Sequence, residues 1–293
     1  MRKITPRLVF VLLVWFSSQA VSHPHSYSQQ PSPAARPLVI AHRGGAQEFT
    51  ENTIGAFTRA VKIGAEGIET DIRLTSDGVV VVYHDDQFGR VEGLPKSGSA
   101  KLISDLSYQE LTARPLKAVG ADPGGERVPT LKELLEGVTS GLLNIELKRC
   151  ARFDELVDKT AAMLKDFKGL DRVVLEAPDL QTAEKLRAAL GPHLKLHINP
   201  GYDDAVPYEV ALKKVLAFRP HSISVSYKKC SREIVELAHN AGVEVWVWTV
   251  NDADLARAMM ILGADAIKTD QPTKLLELRS RMLSVNKNSS PGK

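Results

Sequence analysis

The sequence predicts an α/β fold, a TIM (β/α)8 barrel, with a hairpin and a long loop inserted after the second strand. Short runs rich in β-branched residues alternate with helical patterns through residues 37–283. They make roughly eight strand–helix units, which is the count and length of such a barrel. The rival fold is a doubly wound open sheet, but no Gly-rich dinucleotide fingerprint follows the first strand. The barrel is therefore the predicted fold.

The first unit is a strand over residues 38–41 followed by a helix over 53–63, which Gly64 ends. Apolar residues recur in that helix at helical spacing, namely Ile54, Phe57, Ala60 and Val61. The second strand covers 67–74, and the Asp-Gly pair after it is typical of a hairpin turn into an antiparallel strand over 79–83. The hairpin is an addition to the barrel.

Residues 88–129, rich in Gly, Pro and Ser, are predicted to form a long excursion with one short helix near 104–111. Beyond it, strands and helices alternate regularly. The predicted helices are 130–137, 153–167, 180–190, 208–218, 231–241, 253–262 and 273–282, and the predicted strands are 143–147, 172–175, 194–198, 222–225, 243–249 and 266–269. In a TIM barrel the functional residues are expected where strands end and loops begin.

Residues 1–20 are predicted to be a signal peptide. A basic start precedes the apolar run 8–16, and Ser18-Gln19-Ala20 places small residues where signal peptidase cleaves. The alternative is a membrane anchor, but the run has about half of the ~20 residues that span a bilayer. We therefore expect no stable membrane anchor after cleavage, and an exported protein, periplasmic or secreted.

Residues 21–36, rich in Ser, Gln and Pro, are predicted to be a disordered leader, residues 37–283 the folded domain, and residues 284–293 a flexible tail. Lys and Arg total 38 against 35 Asp and Glu, and the signal peptide holds three of the basic residues and no acid. The rest of the chain then has no net charge, so a nucleic-acid partner is not expected. The sequence leaves the oligomeric state open.

The chain has two cysteines, Cys150 and Cys230. An exported protein can form a disulfide, but a core of this size does not need one, so the sequence leaves open whether they pair. Neither has a second Cys or a His at the spacing of a zinc site.

The first strand ends in His42 and Arg43, which two glycines follow. The turn is expected to leave backbone N–H groups free to point at an anion, and the guanidinium adds positive charge, which suits a phosphate. A structural histidine beside a surface arginine is the simpler interpretation of an isolated pair. The position at the C-terminal end of a strand favours a binding role instead.

Alternation along the second strand places Glu69 and Asp71 on one face, and a later strand places Asn144, Glu146 and Lys148 on one face. Any single acid would more simply be salt-bridged or solvated. Three ionised carboxylates inside a barrel repel one another and need a cation. Hard oxygen donors suit Mg²⁺ or Ca²⁺ rather than zinc, and Lys148 adds a compensating charge.

His84 ends the hairpin strand and precedes two aspartates. Such a histidine is unremarkable in a loop. Together with His42 it supplies two imidazoles near one predicted metal site, which suits general acid and general base catalysis near neutral pH.

Seven short motifs resemble the glycerophosphodiester phosphodiesterase family, in that family's order and over nearly the whole predicted domain. They are His42-Arg43-Gly44, Glu51-Asn52-Thr53, Glu69-x-Asp71, Tyr83-His84-Asp85, Asn144-x-Glu146-x-Lys148, Trp248-Thr249-Val250-Asn251 and Thr269-Asp270-x-Pro272. The set is specific, although His-Arg-Gly alone would be weak.

The resemblance implies a TIM barrel, one bound divalent cation and roles for seven residues. These are the metal ligands Glu69, Asp71 and Glu146, the acid and base His42 and His84, and the phosphate-binding Arg43 and Lys148. The resemblance does not say which histidine is the acid.

The chain departs from the family pattern at two places. Thr50 stands where Pro is common, which should affect only the start of the helix, and Glu176-Ala177-Pro178 replaces the Ser-Phe of many members. The second change leaves the shape of one pocket wall open. Glu51 is predicted to be mainly structural, an acid in the first helical turn, with support of the site as the alternative. Trp248 is expected either in the core or as a substrate-binding wall.

The predicted reaction is hydrolysis of a small-molecule glycerophosphodiester, such as glycerophosphocholine or glycerophosphoethanolamine, to glycerol 3-phosphate and an alcohol. The nearest alternative is a lysophospholipase D or sphingomyelinase D-like activity, which a contiguous apolar loop at the pocket mouth would favour. The excursion is Gly-rich and charged instead. A non-catalytic phosphodiester-binding barrel is another alternative, but neither histidine and none of the three acids is missing.

Overall fold

The computed structural model describes residues 36–94, 100–120, 122, 124–202 and 205–288. The predicted signal peptide and the predicted leader up to residue 35 lie outside these residues. The strands are β1 Leu38–His42, β2 Gly67–Leu74, β3 Val80–Val82, β4 Leu142–Leu147, β5 Val173–Ala177, β6 Lys195–Ile198, β7 Ser222–Ser226, β8 Glu244–Trp248 and β9 Ala266–Thr269. The α-helices are α1 Ile54–Lys62, α2 Tyr108–Thr112, α3 Leu131–Gly137, α4 Phe153–Lys165, α5 Leu180–Leu190, α6 Tyr208–Phe218, α7 Arg232–Asn240, α8 Ala253–Leu262 and α9 Pro272–Asn288.

Eight of the strands are parallel and close a barrel. Their order is β1-β9-β8-β7-β6-β5-β4-β2, and pairing of β1 with β2 completes the ring. Helices cover the outside, and their buried faces pack against outward-facing strand residues such as Val39, Ile68 and Ile145. The structure confirms the predicted TIM barrel.

A small apolar cluster fills the lower part of the lumen. It consists of Ile40, Val174, Trp246 and Ala266, all fully buried. These residues come from β1, β5, β8 and β9, and β5 is not a neighbour of the other three strands in the ring. They can therefore meet only inside the barrel. Two residues further toward the C-terminal ends, the same four strands carry His42, Glu176, Trp248 and Lys268.

The hairpin forms as predicted, with β3 antiparallel to the end of β2. Gly78 supplies the left-handed backbone conformation that the turn needs, with φ of +78°. The excursion folds back over β3, where Val81, Tyr83, Leu111 and Val128 form a second apolar cluster.

Most predicted boundaries lie within two residues of those observed. The single short helix predicted over 104–111 is instead a 3-10 turn, Ile103–Asp105, followed by α2. They are separate because Ser107 is extended and caps α2 in a capping box with Glu110.

The last helix continues to Asn288, where the sequence predicted an end near residue 282 and a flexible tail from 284. Residues 273–290 contain no Gly or Pro, the residues that commonly end a helix. Among the described helices, none combines the length and apolar character needed to cross a bilayer. Cys150 and Cys230 are both free thiols.

Candidate active site

The structure brings the three predicted carboxylates together. Parallel pairing of β2 with β4 sets Asp71 directly beside Glu146, and Glu69 lies two residues earlier on the inner face of β2. One oxygen atom from each residue lies within 4.8 Å of the other two. Glu69 and Asp71 are only 2% and 1% exposed.

This cluster fits one hard divalent cation. Calcium–oxygen distances are about 2.4 Å, so two oxygens on the same ion lie at most about 4.8 Å apart. Asp71 Oδ1 is buried and makes no hydrogen bond to the described residues, although Lys148 Nζ lies 3.0 Å away. A carboxylate oxygen in that state can accept a metal ion without giving up a hydrogen bond.

Lys148, predicted to balance the acids, lies between two of them. Its Nζ is 2.7 Å from Glu146 Oε1 in addition to its contact with Asp71. Although burial opposes it, the ammonium holds the pKa of Asp71 well below its usual range. The pKa of Glu146 is raised by burial and by the nearby Glu176 carboxylate, which outweigh Lys148. Glu146 therefore binds a proton more readily than an ordinary glutamate does.

The turn after β1 differs from the prediction. Arg43, Gly44 and Gly45 all have positive φ, at +51°, +82° and +99°. Their N–H groups are not free for an anion: Arg43 N–H donates to Glu69 Oε2 at 3.0 Å, Gly44 N–H to Ala41, and Gly45 N–H to His42. The turn folds its donors back onto the strand end and the Glu69 carboxylate, so the prediction that they are free to bind a phosphate is wrong.

Gly44 is required in this turn for packing as well as for its conformation. A Cβ atom here would lie 2.9 Å from both Ala56 Cβ and Phe57 Cδ1 of α1. The same close approach of α1 places Asn52, at its N-terminal side, against β2. Asn52 Nδ2 donates to Asp71 Oδ2 at 3.1 Å, which helps to orient that carboxylate.

His42 is oriented by a carboxylate from the other end of the chain. Its Nδ1–H donates to Asp270 Oδ1 at 2.6 Å, and Asn251 Nδ2 donates to Asp270 Oδ2 at 2.6 Å. Although burial opposes it, the Glu69 carboxylate and the hydrogen bond to Asp270 raise the pKa of His42 above 6.5. With Nδ1 fixed, the other ring nitrogen, Nε2, is the atom available for proton exchange.

His84 has the same arrangement with a local partner. Its Nδ1–H donates to Asp85 Oδ1 at 2.7 Å, and Arg73 holds the His84 carbonyl through two donors at 2.9 and 2.6 Å. Arg90, from the excursion, donates to Asp85 Oδ2 at 2.6 Å. The orientation of His84 therefore depends on the excursion.

Glu51 was predicted to lie in the first turn of α1, and this prediction is wrong. Thr53 caps the helix, which begins at Ile54, so Glu51 lies before it. Glu51 instead accepts two hydrogen bonds from Arg90, at 2.7 and 2.8 Å, and lies 3.5 Å from Arg43. The alternative interpretation, that Glu51 supports the site, describes what it does.

A cavity of about 350 Å³ opens at the C-terminal ends of the strands. Its lining includes His42, Arg43, Glu69, His84, Glu146, Lys148, Glu176, Tyr202, Ser224, Trp248 and Lys268. Trp248 is thus a wall of the cavity rather than a core residue. Glu176, the departure noted in the sequence, lies in this cavity wall and pairs with Lys268.

Comparison with known proteins agrees with this geometry. Residues 42–274 match the sequence model of the glycerophosphoryl diester phosphodiesterase family. The chain belongs to this family. The predicted family resemblance is confirmed, and the match begins at His42 and extends beyond Asp270.

Two relatives in this family align with most of the chain. A glycerophosphodiester phosphodiesterase from Caldanaerobacter subterraneus subsp. tengcongensis is 32% identical over 247 residues, 82% of this chain and 97% of that protein. A lysophospholipase D from Rattus norvegicus is 27% identical over 285 residues, 83% of this chain and 86% of that protein.

Solved structures share the barrel. A phosphodiesterase from Oleispira antarctica, solved in complex with the product sn-glycerol-3-phosphate, is 26% identical with a TM-score of 0.69, over 83% of this chain and 97% of that one. A glycerophosphodiester phosphodiesterase from Thermotoga maritima is 27% identical with a TM-score of 0.66, over 83% of this chain and 98% of that one.

Several residues of the site were not assigned a role from the sequence. Asp270 and Asn52 belong to motifs that the resemblance included, but their contacts with His42 and Asp71 depend on the folded barrel. Asp85 directly follows His84 and could have been found from adjacency. Arg90 gave no signal, because it is one of several charged residues in the excursion.

Proposed function

We propose that this protein hydrolyses glycerophosphodiesters to glycerol 3-phosphate and an alcohol, with one divalent cation, Mg²⁺ or Ca²⁺, bound by Glu69, Asp71 and Glu146. The observation that supports it most strongly is the carboxylate cluster, with its oxygens within 4.8 Å, in one cavity with two carboxylate-oriented histidines. The family and the product in the Oleispira antarctica structure supply the substrate class.

The charges of the site favour a phosphodiester. Three carboxylates and a divalent cation leave one negative charge, and the phosphodiester adds another. Arg43 and Lys148 line the same cavity and balance both charges. Without these two residues, the site would repel its substrate.

When bound, the divalent cation would polarise a phosphoryl oxygen and stabilise the charge that develops there. Nε2 of one histidine removes the proton from the glycerol 2-hydroxyl, whose oxygen forms a bond to phosphorus. The bond from phosphorus to the alcohol oxygen breaks, and Nε2 of the other histidine donates a proton to that oxygen. Water then opens the resulting cyclic phosphate to glycerol 3-phosphate.

Release of the alcohol, with glycerol 3-phosphate identified as the second product of the glycerol diesters, tests this function. Glycerophosphocholine, glycerophosphoethanolamine and a diester lacking the 2-hydroxyl are compared at equal concentration, together with lyso-lipids. We expect release from the first two, almost none from the 2-deoxy diester, and a cyclic glycerophosphate in a quenched time course. Normal turnover of the 2-deoxy diester would replace the cyclic route by direct attack of water.

One observation favours lysophospholipase D activity as a second candidate. A separate, mainly apolar cavity of about 320 Å³ lies between α5 and α6 and shares Asn199 and Tyr202 with the main cavity. An acyl chain could lie there while the phosphodiester occupies the polar site. Faster release of the headgroup alcohol from lyso-lipids than from glycerophosphocholine would select this activity.

We also propose that the protein is exported, periplasmic or secreted. Support comes from the sequence alone, through the basic start, the short apolar run and the small residues that end at Ala20.

A further inference from the structure

An ion pair crosses the lumen of the barrel next to the carboxylate cluster, since Glu176 is in register with Glu146. Lys268 Nζ on β9 donates to Glu176 Oε2 on β5 at 2.6 Å. In the closed ring, three strands separate β9 from β5 on either side, so the two residues face each other across the barrel. Their side chains are 3% and 6% exposed.

The pair lies directly above the apolar filling of the lumen. Ala266 and Val174 each stand two residues before a member of the pair and therefore lie one layer deeper on the same inner face. His197 Nε2 lies 3.6 Å from Glu176 Oε2 on the side of β6. The pair is thus the polar floor of the active-site cavity, which both residues line.

The chemistry of this floor matches a hydroxyl group. An ammonium has three N–H donors, and Lys268 uses one of them on the described residues, at Glu176. A hydroxyl can accept from the ammonium and donate to the carboxylate. A quaternary ammonium headgroup would meet the Lys268 charge, and an acyl chain would bury the two unused N–H donors of Lys268 against apolar surface.

We propose that Glu176 and Lys268 form a specificity-determining subsite that binds the terminal hydroxyl of the substrate's glycerol. The glycerol then points down the barrel, and the alcohol lies at the mouth near Tyr202 and Trp248. The inference rests on the proposed function, and it adds the orientation of the substrate and the residues that select a polyol.

The first test uses the wild-type protein and two diesters of the same alcohol. One contains glycerol, and the other contains propane-1,2-diol, which keeps the 2-hydroxyl but lacks the terminal one. Loss of a hydrogen bond to a charged group should lower kcat/KM about tenfold to a hundredfold for the second diester. Equal kcat/KM for both diesters would overturn the proposal.

The second test removes both charges together, because a single substitution would leave a buried charge unpaired. We expect E176Q/K268M to lose the preference for the glycerol diester over the propanediol diester. In this variant kcat/KM for the glycerol diester should fall to about that for the propanediol diester, which keeps the 2-hydroxyl nucleophile. The control, D158N/K185M, removes an exposed ion pair between α4 and α5 and should keep the preference.

A fall of equal size for the two diesters, which leaves the preference unchanged in the folded double variant, would show that the pair is structural only. If circular dichroism shows that E176Q/K268M does not fold, the comparison of the two diesters with the wild-type protein still tests the proposal. Failure of the wild-type protein to hydrolyse any glycerophosphodiester is a different result, which would remove the proposed function and this inference with it.

Discussion

Two histidines of this protein share one arrangement, in which a carboxylate binds Nδ1 and Nε2 remains for proton exchange. Asp270 orients His42 and Asp85 orients His84, at 2.6 and 2.7 Å. Both rings line the cavity, together with Glu69 and Glu146 of the carboxylate cluster. The arrangement makes each histidine a candidate for acid or base catalysis.

We predict that His42→Ala and His84→Ala each lower kcat by about 10²–10⁴-fold, the usual range for a lost acid or base. Metal affinity, measured by calorimetry with Mg²⁺ or Ca²⁺ alone, should change little, because neither histidine is a proposed ligand. A histidine with a purely structural role would lower the melting temperature instead. If both variants keep near-normal kcat, the acid–base mechanism is wrong.

His197 should make the protein less stable in acid. Burial and the nearby Lys268 ammonium lower its pKa from 6.5 to about 3. Below pH 6.5 the unfolded chain binds a proton here that the folded chain does not, so the free energy of unfolding falls as the pH drops towards 3. The loss from this group is about 1.4 kcal/mol for each pH unit.

Urea unfolding at several pH values measures this slope. In the His197→Asn variant, the dependence of the free energy of unfolding on pH between about pH 6 and about pH 4 should be shallower by about one proton. Equal slopes in the wild type and the variant would show that His197 is not buried in its neutral form.

At the scale of elements, the excursion completes the site from outside the barrel. Arg90 bonds both Asp85, the partner of His84, and Glu51, the neighbour of Arg43. It is 45% exposed at its side chain, so its removal should not unfold the domain. Its effect should appear in catalysis.

We predict that Arg90→Met lowers kcat by about 10- to 100-fold, because small displacements of acid–base and phosphate-binding groups are costly. The melting temperature should change little. Arg127→Met is the matched control, since Arg127 lies in the same excursion but pairs with Glu133 instead. Equal kcat for the two variants would contradict a positioning role for Arg90.

The sequence alone predicted the barrel because period-two and helical patterns record which side of each element is buried. It predicted the carboxylate cluster for the same reason, since alternation along β2 places Glu69 and Asp71 on one face. The contact between His42 and Asp270 spans 228 residues and follows from closure of the ring, which no local pattern contains. The prediction that the backbone N–H groups after β1 are free to bind an anion was wrong. The sequence does not reveal that these groups donate to Ala41, His42 and Glu69.

For the whole molecule, export is a prediction of its own. We expect mass spectrometry of secreted or periplasmic material to give an N-terminus near Val21, after the small residues that end at Ala20. An intact chain that begins at Met1 and fractionates with membranes would support the anchor instead.

The barrel brings three acids from two strands to one point, and turnover is proposed to depend on the cation that they bind. The most direct measurement is glycerol 3-phosphate release after chelation and after return of Mg²⁺ or Ca²⁺, with metal affinity measured for Glu69→Gln, Asp71→Asn and Glu146→Gln. We predict that chelation abolishes turnover, that Mg²⁺ or Ca²⁺ restores it, and that each amide variant binds the metal more weakly. Full activity of a metal-free sample would contradict this prediction.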